Sequence, residues 1–394
     1  MEFEVAAVCG TARAARLTVG GRRVSTPVFM PVGTQGTMKG VTCGQLRSMG
    51  CEILLGNTYH LGHRPGPALL ETQGGLHDWM DWDGAILTDS GGFQMVSLAA
   101  LSSVDETGVE FTSPHDGKLR NGVIFLLYAE SRMLLRPEDS MAIQRAIGSD
   151  IVMQLDDVVN PLSPEERLDV AAERSVRWLD RCIASLDTNK NRDCKDCEEP
   201  KSGVGRFSRK SLSPVLFAIV QGGLDVKRRA VCVEKMLERG CFGHAIGGLG
   251  GGENKTDFCS MVAQCAGLLG SAGPVYCMGI GYDEDVLVCV ALGVDMFDCV
   301  FPTRTARFGH ALHRKERDLA LGRKQFAFDL RPISENCACV ACSRGMSRAV
   351  LHSLVGRTDC SVGCHLLTLH NLEYMLSLMR DVRASIVDGS FPDF

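Results

Sequence analysis

The sequence predicts an α/β protein and, within that class, a (β/α)8 TIM barrel followed by a cysteine-containing subdomain. Three observations predict this fold. Short apolar runs of strand length occur eight times, stretches with helical periodicity separate them, and polar residues and glycines collect where the runs end. Eight buried strands that alternate with helices indicate a parallel barrel, whose functional residues lie at the carboxyl ends of its strands.

The predicted barrel covers residues 27–314. Its strands are, in order, TPVFMPVG, EILLGNT, AILTDSGG, DIVMQLDD, LFAIVQGG, HAIGGLG, VYCMGIG and MFDCVFPT. Segments such as PEDSMAIQRAIG, VKRRAVCVEKMLERG and YDEDVLVCVALG lie between the strands. Their apolar residues recur at helical spacing, so we expect them to form the outer helices.

Four stretches fall outside this alternation. Residues 1–26 suggest an N-terminal hairpin that closes the barrel floor. Residues 315–372 suggest a subdomain inserted after the last strand, and residues 373–394 suggest a C-terminal helix. The polar stretch at about 187–214, rich in Gly, Ser and Lys, suggests a mobile surface insertion within the barrel.

The charge of the chain limits how it can bind nucleic acid. The formal net charge is −5, so any RNA contact must come from a local basic patch. One candidate runs from Arg304 to Lys324, with seven cationic residues against two acidic ones. Such a run is more often a solvated surface, so charge alone leaves its role open.

The cysteine content and the apolar runs bear on the compartment. The chain has 18 cysteines, but it is 394 residues long and begins MEFEVAAVCG, without a basic and then apolar signal. We therefore expect a reducing compartment and a cytoplasmic location. The run VLVCVALGV (286–294) is among the longest apolar runs. A membrane span needs about 18 apolar residues, so we expect none.

A cysteine-rich motif predicts a metal site with the ligands Cys337, Cys339, Cys342 and His370. Three thiolates and an imidazole suit tetrahedral Zn2+, and four protein ligands leave no open position, so the expected zinc is structural. The region after the last strand is thus predicted to be a zinc-binding subdomain. His365 is an alternative fourth ligand, and unpaired buried thiols are the alternative to a metal. Cys194 and Cys197 form a CxxC motif without a second pair, and we expect two free thiols there.

The strand ends and the last subdomain carry ordered motifs: GNTYHLGHRPG (56–66), LTDSGGFQMVSL (87–98), GSDIVMQLDD (148–157), QGG (221–223), AIGGLGGGE (245–253), MGIGY (278–282), DMFDCVFPTRTARFG (295–309), the cysteine cluster and LTLHN (367–371). Together they resemble the tRNA-guanine transglycosylases. The resemblance extends from about Pro27 onward and is strongest to the eukaryotic catalytic subunits. It implies a (β/α)8 barrel with a zinc-binding subdomain.

Members of this family exchange the guanine at the wobble position (position 34) of GUN-anticodon tRNAs, those for Asp, Asn, His and Tyr, for queuine or its precursor. The resemblance implies Asp298 as the nucleophile at the ribose anomeric carbon and Asp89 as the general acid/base. The chemistry itself needs such a pair, because one carboxylate traps an oxocarbenium-like centre and the other carries protons for the two bases. After Asp298 the chain is expected to enter a loop that contacts the anticodon.

The resemblance also implies a base pocket. Asp156 matches the carboxylate that pairs with N1 and the exocyclic amine of guanine, and Gln221 and the Gly248 N–H match donors to O6. Phe93 and Met278 would sandwich the ring, although such residues at a strand end more often belong to the core. The predicted substrate-binding residues are Ser90, Phe93, Gln94, Asp156, Gln221, Gly248, Leu249, Gly251 and Met278.

Three residues after Asp298 are predicted to bind RNA: Thr303, Arg304 and Arg307. The two arginines resemble those that hold the uridines beside the target guanine in this family.

Two departures from the bacterial pattern bear on the choice of base. Val158 stands where bacterial members carry a Cys, and Gly251 stands where they carry a Val. The resemblance therefore implies room for the cyclopentenediol of queuine. The alternative is that Gly251 serves only a turn with positive φ.

Residues 122–135 and 187–214 have no counterpart in the family pattern, which leaves their role open.

The alternative function is that of a noncatalytic subunit that positions tRNA. Eukaryotic members pair a catalytic chain with a homologous chain that has lost the chemistry, so we expect a dimer, and more specifically a heterodimer of that kind. The intact motifs around Asp89 and Asp298 favour the catalytic role for this chain. A zinc hydrolase is a third alternative, which a closed Cys3His coordination sphere disfavours.

Overall fold

The structure is a computed structural model that describes residues 1–36, 38–93, 102–112, 132–190, 213–355 and 361–394. Gln94, Cys194 and Cys197 lie outside the described residues, as do most of the stretches 122–135 and 187–214. No helix in the described part is both long enough and apolar enough to cross a membrane.

The described strands are β1 (Glu2–Cys9), β2 (Ala12–Val19), β3 (Arg22–Thr26), β4 (Val28–Met30), β5 (Val32–Gly33), β6 (Ile53–Gly56), β7 (Ala85–Thr88), β8 (Ser102–Val104), β9 (Val109–Thr112), β10 (Arg132–Leu135), β11 (Ile151–Met153), β12 (Val215–Val220), β13 (Gly243–Ile246), β14 (Val275–Cys277), β15 (Met296–Asp298), β16 (His310–His313) and β17 (Arg317–Ala320). The described helices are α1 (Cys43–Ser48), α2 (Thr58–His63), α3 (Pro67–Thr72), α4 (Leu76–Met80), α5 (Pro137–Ile147), α6 (Glu165–Lys190), α7 (Val226–Leu237), α8 (Lys255–Leu269), α9 (Asp283–Ala291), α10 (Phe301–Ala306), α11 (Val340–Ser343), α12 (Arg348–Val355) and α13 (Ser361–Asp388). Short 3-10 turns cover Lys324–Phe326 and Phe391–Asp393.

A nearly closed parallel barrel forms the centre of the molecule, as predicted. Its sheet has the order β4-β15-β14-β13-β12-β11-β7-β6-β5, and every neighbouring pair is parallel. The first predicted strand is divided at Pro31 into β4 and β5, because proline has no N–H to donate to a sheet. β4 pairs with β15 and β5 pairs with β6, so the ring closes through this one interrupted strand.

The N-terminal segment covers the amino ends of the barrel strands. It is a three-stranded antiparallel sheet, β1-β2-β3, with one strand more than the predicted hairpin. Leu17, Val19 and Val24 pack against the side chains inside the barrel. Arg13 binds Asp295, just before β15, at 2.8 and 2.6 Å. This end is therefore filled, and the opposite end is left for the site.

The outer helices begin where the sequence provides capping side chains. Asp225 accepts a hydrogen bond from the Arg228 N–H at the start of α7, and Asn254 accepts one from the Asp257 N–H at the start of α8. Each helix buries its apolar side against the barrel, as the predicted periodicity requires. The loops before these helices, which follow β12 and β13, are thereby held close to the barrel rim.

A smaller region follows the barrel. It contains the β16–β17 hairpin and the helices α11 and α12, with a core of its own that includes Leu319, Phe326 and Leu351. Helix α13 packs against this region and against the barrel. Because α13 is continuous from Ser361 to Asp388, the predicted boundary between residues 372 and 373 falls inside a helix.

Candidate active site

Asp298 is the last residue of β15, at the carboxyl end of the barrel. Its Oδ1 accepts a hydrogen bond from the Tyr276 hydroxyl at 2.5 Å and another from the Gly279 N–H at 2.7 Å. Burial raises the pKa of this carboxyl, and the two donors oppose that rise. Oδ2 accepts no hydrogen bond from the described residues, so one oxygen is held while the other can react.

Asp89 directly follows β7 and is buried. Its Oδ2 accepts a hydrogen bond from Asn57 Nδ2 at 2.6 Å, and its Oδ1 accepts one from the Thr58 N–H at 2.8 Å. The Thr58 hydroxyl donates to the Asp89 carbonyl at 2.5 Å. Donors on both oxygens thus hold the Asp89 carboxyl group in one orientation.

Tyr276, on β14, binds one of the two carboxylates and feels the charge of the other. Burial and the charges of Asp298 and Asp89 raise the pKa of its hydroxyl well above the ordinary value, so it remains a hydrogen-bond donor. Both carboxylates lie at the carboxyl end of the barrel, where a two-carboxylate mechanism would need them. The motif GNTYHLGHRPG included Asn57 and Thr58 without giving them a role, and Tyr276 was missed. The available signal for Tyr276 was a tyrosine in a buried apolar strand, whose hydroxyl needs a partner.

Asp156 follows β11 and is 3% exposed. Its carboxylate accepts hydrogen bonds from Gln221 Nε2 at 2.7 Å and from the Ser90 hydroxyl at 3.3 Å. Burial raises its pKa to about 6 and outweighs the lowering effect of the Gln221 hydrogen bond. Three of the predicted pocket residues, from three strand ends, therefore meet at one buried carboxyl.

The adjacent Asp157 is bound quite differently. Arg167 donates to its two oxygens at 2.8 and 2.5 Å, and Arg174 donates at 2.5 Å. Asp156 has no such cationic partner among the described residues. Asp157 is thus a neutralised structural anion, and Asp156 is the carboxylate left to accept hydrogen bonds from a ligand.

Gly248 lies against the Gln221 side chain. It has φ +65°, and a Cβ at this position would lie 2.3 Å from Gln221 Oε1. Both features require glycine, and they place the two predicted O6 donors side by side. Leu249 and Met278 are partly buried against the core, whereas Phe93 is 62% exposed. Stacking of a base between Phe93 and Met278 stays a prediction.

Gly251 faces another loop and does not occupy a left-handed turn. Its φ lies outside the positive range, so the alternative that Gly251 serves a positive-φ turn is wrong. A Cβ here would lie 2.6 Å from Pro161 Cδ and 3.2 Å from Asn160 Nδ2. The Glu253 carboxylate holds the Gly251 N–H at 2.9 Å. A larger residue at 251 would therefore push against the loop that begins near Val158.

The predicted RNA-binding residues lie on a helix. The expectation of a loop after Asp298 is wrong, because α10 begins at Phe301 and carries Arg304, while Arg307 caps the carboxyl end of this helix. Both arginines are exposed. Thr303 is buried, and its hydroxyl donates to the Val300 carbonyl at 3.2 Å. The structure therefore brings the two arginines to the surface and leaves Thr303 inside.

The four predicted metal ligands form one cluster: Cys337, Cys339, Cys342 and His370. The three sulfurs lie 3.5, 3.4 and 3.6 Å from His370 Nδ1. A tetrahedral zinc with bonds of about 2.3 Å to sulfur and about 2.1 Å to nitrogen places these atoms about 3.6 Å apart. The donor set and its spacing therefore fit a tetrahedral metal ion.

The surroundings of the two histidines distinguish between the alternative ligands. His370 Nε2 lies 2.9 Å from the Leu312 carbonyl oxygen, so this nitrogen carries the proton and the Nδ1 lone pair faces the sulfurs. His365 Nε2 instead lies 3.3 Å from Gln45 Nε2. His370 completes the cluster, and His365 lies outside it.

Comparison with known proteins agrees with this geometry. A family model described as queuine tRNA-ribosyltransferase matches residues 9–394. The chain belongs to this family. It is 46% identical over 403 residues to the queuine tRNA-ribosyltransferase catalytic subunit of Schizosaccharomyces pombe, covering 100% of this chain and 90% of that protein. It is also 46% identical over 394 residues to the protein of that name in Caenorhabditis elegans, covering 100% of this chain and 89% of the relative.

The queuine tRNA-ribosyltransferase family also has bacterial relatives of this chain. The queuine tRNA-ribosyltransferase of Thermus thermophilus is 40% identical over 392 residues, covering 100% of this chain and 92% of that protein. The family match includes the strand ends with Asp89, Asp156 and Asp298 as well as the Cys3His cluster. The family resemblance inferred from the motifs is thus confirmed.

Proposed function

We propose that the chain is a tRNA-guanine transglycosylase that exchanges the wobble guanine of GUN-anticodon tRNAs for queuine. The observation that carries the proposal is the pair of carboxylates Asp298 and Asp89 at the carboxyl end of the barrel, beside the buried Asp156–Gln221 pocket. One carboxylate has a free oxygen, and the other is held by donors on both oxygens. A pair with such different environments suits a nucleophile and a proton carrier.

The reaction proceeds in two displacements at the ribose C1′. Asp298 attacks C1′, the bond to guanine N9 breaks with its electron pair going to the purine, and Asp89 delivers a proton to the departing base. Queuine then enters the pocket, gives its N9 proton back to Asp89 and attacks C1′, which releases Asp298. Two inversions at one carbon preserve the β anomer, and no energy source is consumed.

The base is held by the buried pocket. Asp156 accepts hydrogen bonds from N1–H and the exocyclic amine, while Gln221 and the Gly248 N–H donate to O6. Asp156 lacks a cationic partner among the described residues, which supports its role as the acceptor for these donors. Arg304 and Arg307, exposed on α10, hold the nucleotides beside the target guanine.

The Cys337, Cys339, Cys342 and His370 cluster would hold a structural Zn2+, which would link the short cysteine segment to α13 and supply no chemistry to the reaction. Helix α13 also packs against α10, which carries Arg304, so the position of this proposed tRNA-binding helix depends on the metal link.

We further propose a cytoplasmic heterodimer with a homologous noncatalytic chain.

The deciding experiment measures incorporation of labelled guanine into a GUN-anticodon tRNA, with this chain alone and with the homologous partner. We expect Asp298→Ala to abolish exchange while tRNA affinity stays within about twofold of wild type, because the arginines that bind RNA are untouched. Asp285→Asn is the control, since it removes a partly buried carboxylate that pairs with Lys255 and not with the proposed site residues. Exchange by Asp298→Ala above a trace contradicts the nucleophile. Wild-type tRNA binding without exchange under both conditions supports the noncatalytic alternative.

A further inference from the structure

A buried arginine lies behind the proposed base pocket without an acidic partner. Arg229, on α7, is 0% exposed, and no carboxylate of the described residues lies within ion-pair distance of it. Its polar contacts are two backbone carbonyls and, at 4.0 Å, the Cys265 sulfur. An ion removed from water without a counter-ion is costly to stability, so the position calls for a functional explanation.

The two carbonyls belong to the loops that carry the O6 donors. Arg229 Nε donates to the Gly223 carbonyl at 2.7 Å, two residues after Gln221. Its Nη2 donates to the Gly247 carbonyl at 3.0 Å, one residue before Gly248. One guanidinium thus connects the ends of two neighbouring barrel strands at the base pocket.

The second of these bonds reaches the pocket through a single peptide unit. The Gly247 carbonyl and the Gly248 N–H belong to the same planar amide, and in a trans peptide they point in opposite directions. A cation bound to the carbonyl polarises the amide and makes its N–H a stronger donor on the other side. Burial leaves the Arg229 charge poorly screened by water, so its effect on this amide is large.

We infer that Arg229 is a positioning residue for base exchange, which acts through the Gly247–Gly248 peptide to stabilise negative charge on the departing purine. This inference rests on the proposed function. When the N9–C1′ bond breaks, the electron pair stays with the purine and part of its charge reaches O6, the acceptor of the Gly248 N–H. Arg229 strengthens this hydrogen bond most when that charge is present, before the proton arrives from Asp89.

The test compares Arg229→Met, which removes the charge at similar length, with Arg229→Lys, which keeps the charge but reaches fewer carbonyls. The control is Arg239→Lys, since Arg239 pairs with Asp180 away from the pocket. We expect Arg229→Met to slow guanine release in a single turnover by about 10-fold or more, with KM for the free base changed less than about threefold. Arg229→Lys should lie between Arg229→Met and wild type, and tRNA affinity should not change.

A second measurement separates a charge effect from loop packing. The same rates are measured on tRNA that carries a more acidic guanine analogue at the wobble position. A better leaving group needs less stabilisation, so the defect of both variants should shrink. If Arg229→Met does not fold, the analogue measurement on Arg229→Lys decides alone.

Two results overturn the inference while wild type remains active. One is guanine release at the wild-type rate in Arg229→Met. The other is an equal defect in both variants that does not change with the leaving group, which would assign Arg229 to loop packing only. A wild-type protein that fails to exchange bases with or without its partner contradicts the proposed function itself, and the inference then fails with it.

Discussion

At the scale of single residues, the site consists of carboxylates whose surroundings separate their roles. Asp298 has one oxygen held by Tyr276 and Gly279, whereas both oxygens of Asp89 are held by donors. Asp156 is buried without a cation among the described residues, although the next residue, Asp157, is bound by two arginines. These differences in hydrogen-bond donors and burial support the proposed roles, with Asp298 as the reacting carboxylate and Asp156 as the binding one.

Tyr276→Phe should weaken the nucleophile without weakening base binding. The hydroxyl lowers the pKa of Asp298 by donating to it, so its removal raises that pKa further. Asp298 must be ionised to attack, and the acid limb of the pH–rate profile should therefore move to higher pH. A lost hydrogen bond to a charged group should also reduce kcat by about 10- to 100-fold. An unshifted acid limb would show that Tyr276 does not control the ionisation of Asp298.

At the scale of secondary structure elements, the site depends on what immediately follows each strand. β7 and β11 are followed by carboxylates, β12 and β13 by glycine loops, and β15 by the helix with the exposed arginines. The strands hold these residues rigidly, and the loops and helices that follow decide their directions. The Cys3His cluster is also such a positioning element, because a metal bound there would join α13 to a segment about 30 residues earlier.

Cys339→Ser should lose the metal and destabilise the region after the barrel. Cys339 is 3% exposed, and its sulfur is one of the candidate ligand atoms around His370 Nδ1. We expect loss of stoichiometric zinc in metal analysis and a decrease of more than about 2 kcal/mol in the free energy of unfolding, because metal binding and folding are coupled. Cys364→Ser is the control, since this thiol lies outside the cluster. Normal zinc content in Cys339→Ser would contradict the ligand set.

Gly251→Val should discriminate between the two bases. The new side chain would collide with Pro161 and narrow the space between the loops near Val158 and Gly251. Overpacking costs about 1 to 3 kcal/mol, and we expect the larger queuine to bear this cost, with its kcat/KM reduced about 5- to 150-fold more than that of guanine. The measurement is exchange of both bases on one tRNA. An equal decrease for both would mean that the collision disturbs the whole pocket.

At the scale of the whole molecule, the two ends of the barrel are built for different purposes. The amino end is filled by the N-terminal sheet and tied by ion pairs such as Arg13–Asp295. The carboxyl end keeps buried groups that cost stability, Asp156 and Arg229 among them. The stability contributed by the packed amino end offsets the stability lost by burying these groups at the carboxyl end.

The stability of the molecule should therefore depend on the ionisation of Asp156. Its pKa is about 6 in the folded state against an ordinary 3.8, so the native state binds this proton more tightly than the unfolded state does. Stability from this group is thus lost as pH rises between about 4 and 6, by about 3 kcal/mol in total. Asp156→Asn should gain stability relative to wild type at pH 7.5 and lose that advantage at pH 4.5. Parallel curves of unfolding free energy against pH for the two proteins would contradict this.

Much of the architecture could be predicted from local patterns. The eight strand segments, the helices between them and the cysteine motif all depend on residues close together in the chain, and burial imposes its periodicity on them directly. The family followed from motifs at the strand ends, since those residues must keep their types for the chemistry. Pro31 is visible in the sequence as well. Its effect, the division of the first barrel strand, is shown only by the pairing of β4 with β15.

The sequence by itself determined that Asp89, Asp156 and Asp298 stand at strand ends, and that three cysteines and a histidine could hold a metal. Only the tertiary structure decided that the Tyr276 hydroxyl binds Asp298, that His370 and not His365 completes the cluster, and that Gly251 faces Pro161. It also placed Arg229 beneath two glycine loops. These contacts join residues distant in the chain, and their geometry is set by closure of the barrel and packing of the helices around it, which no local pattern encodes.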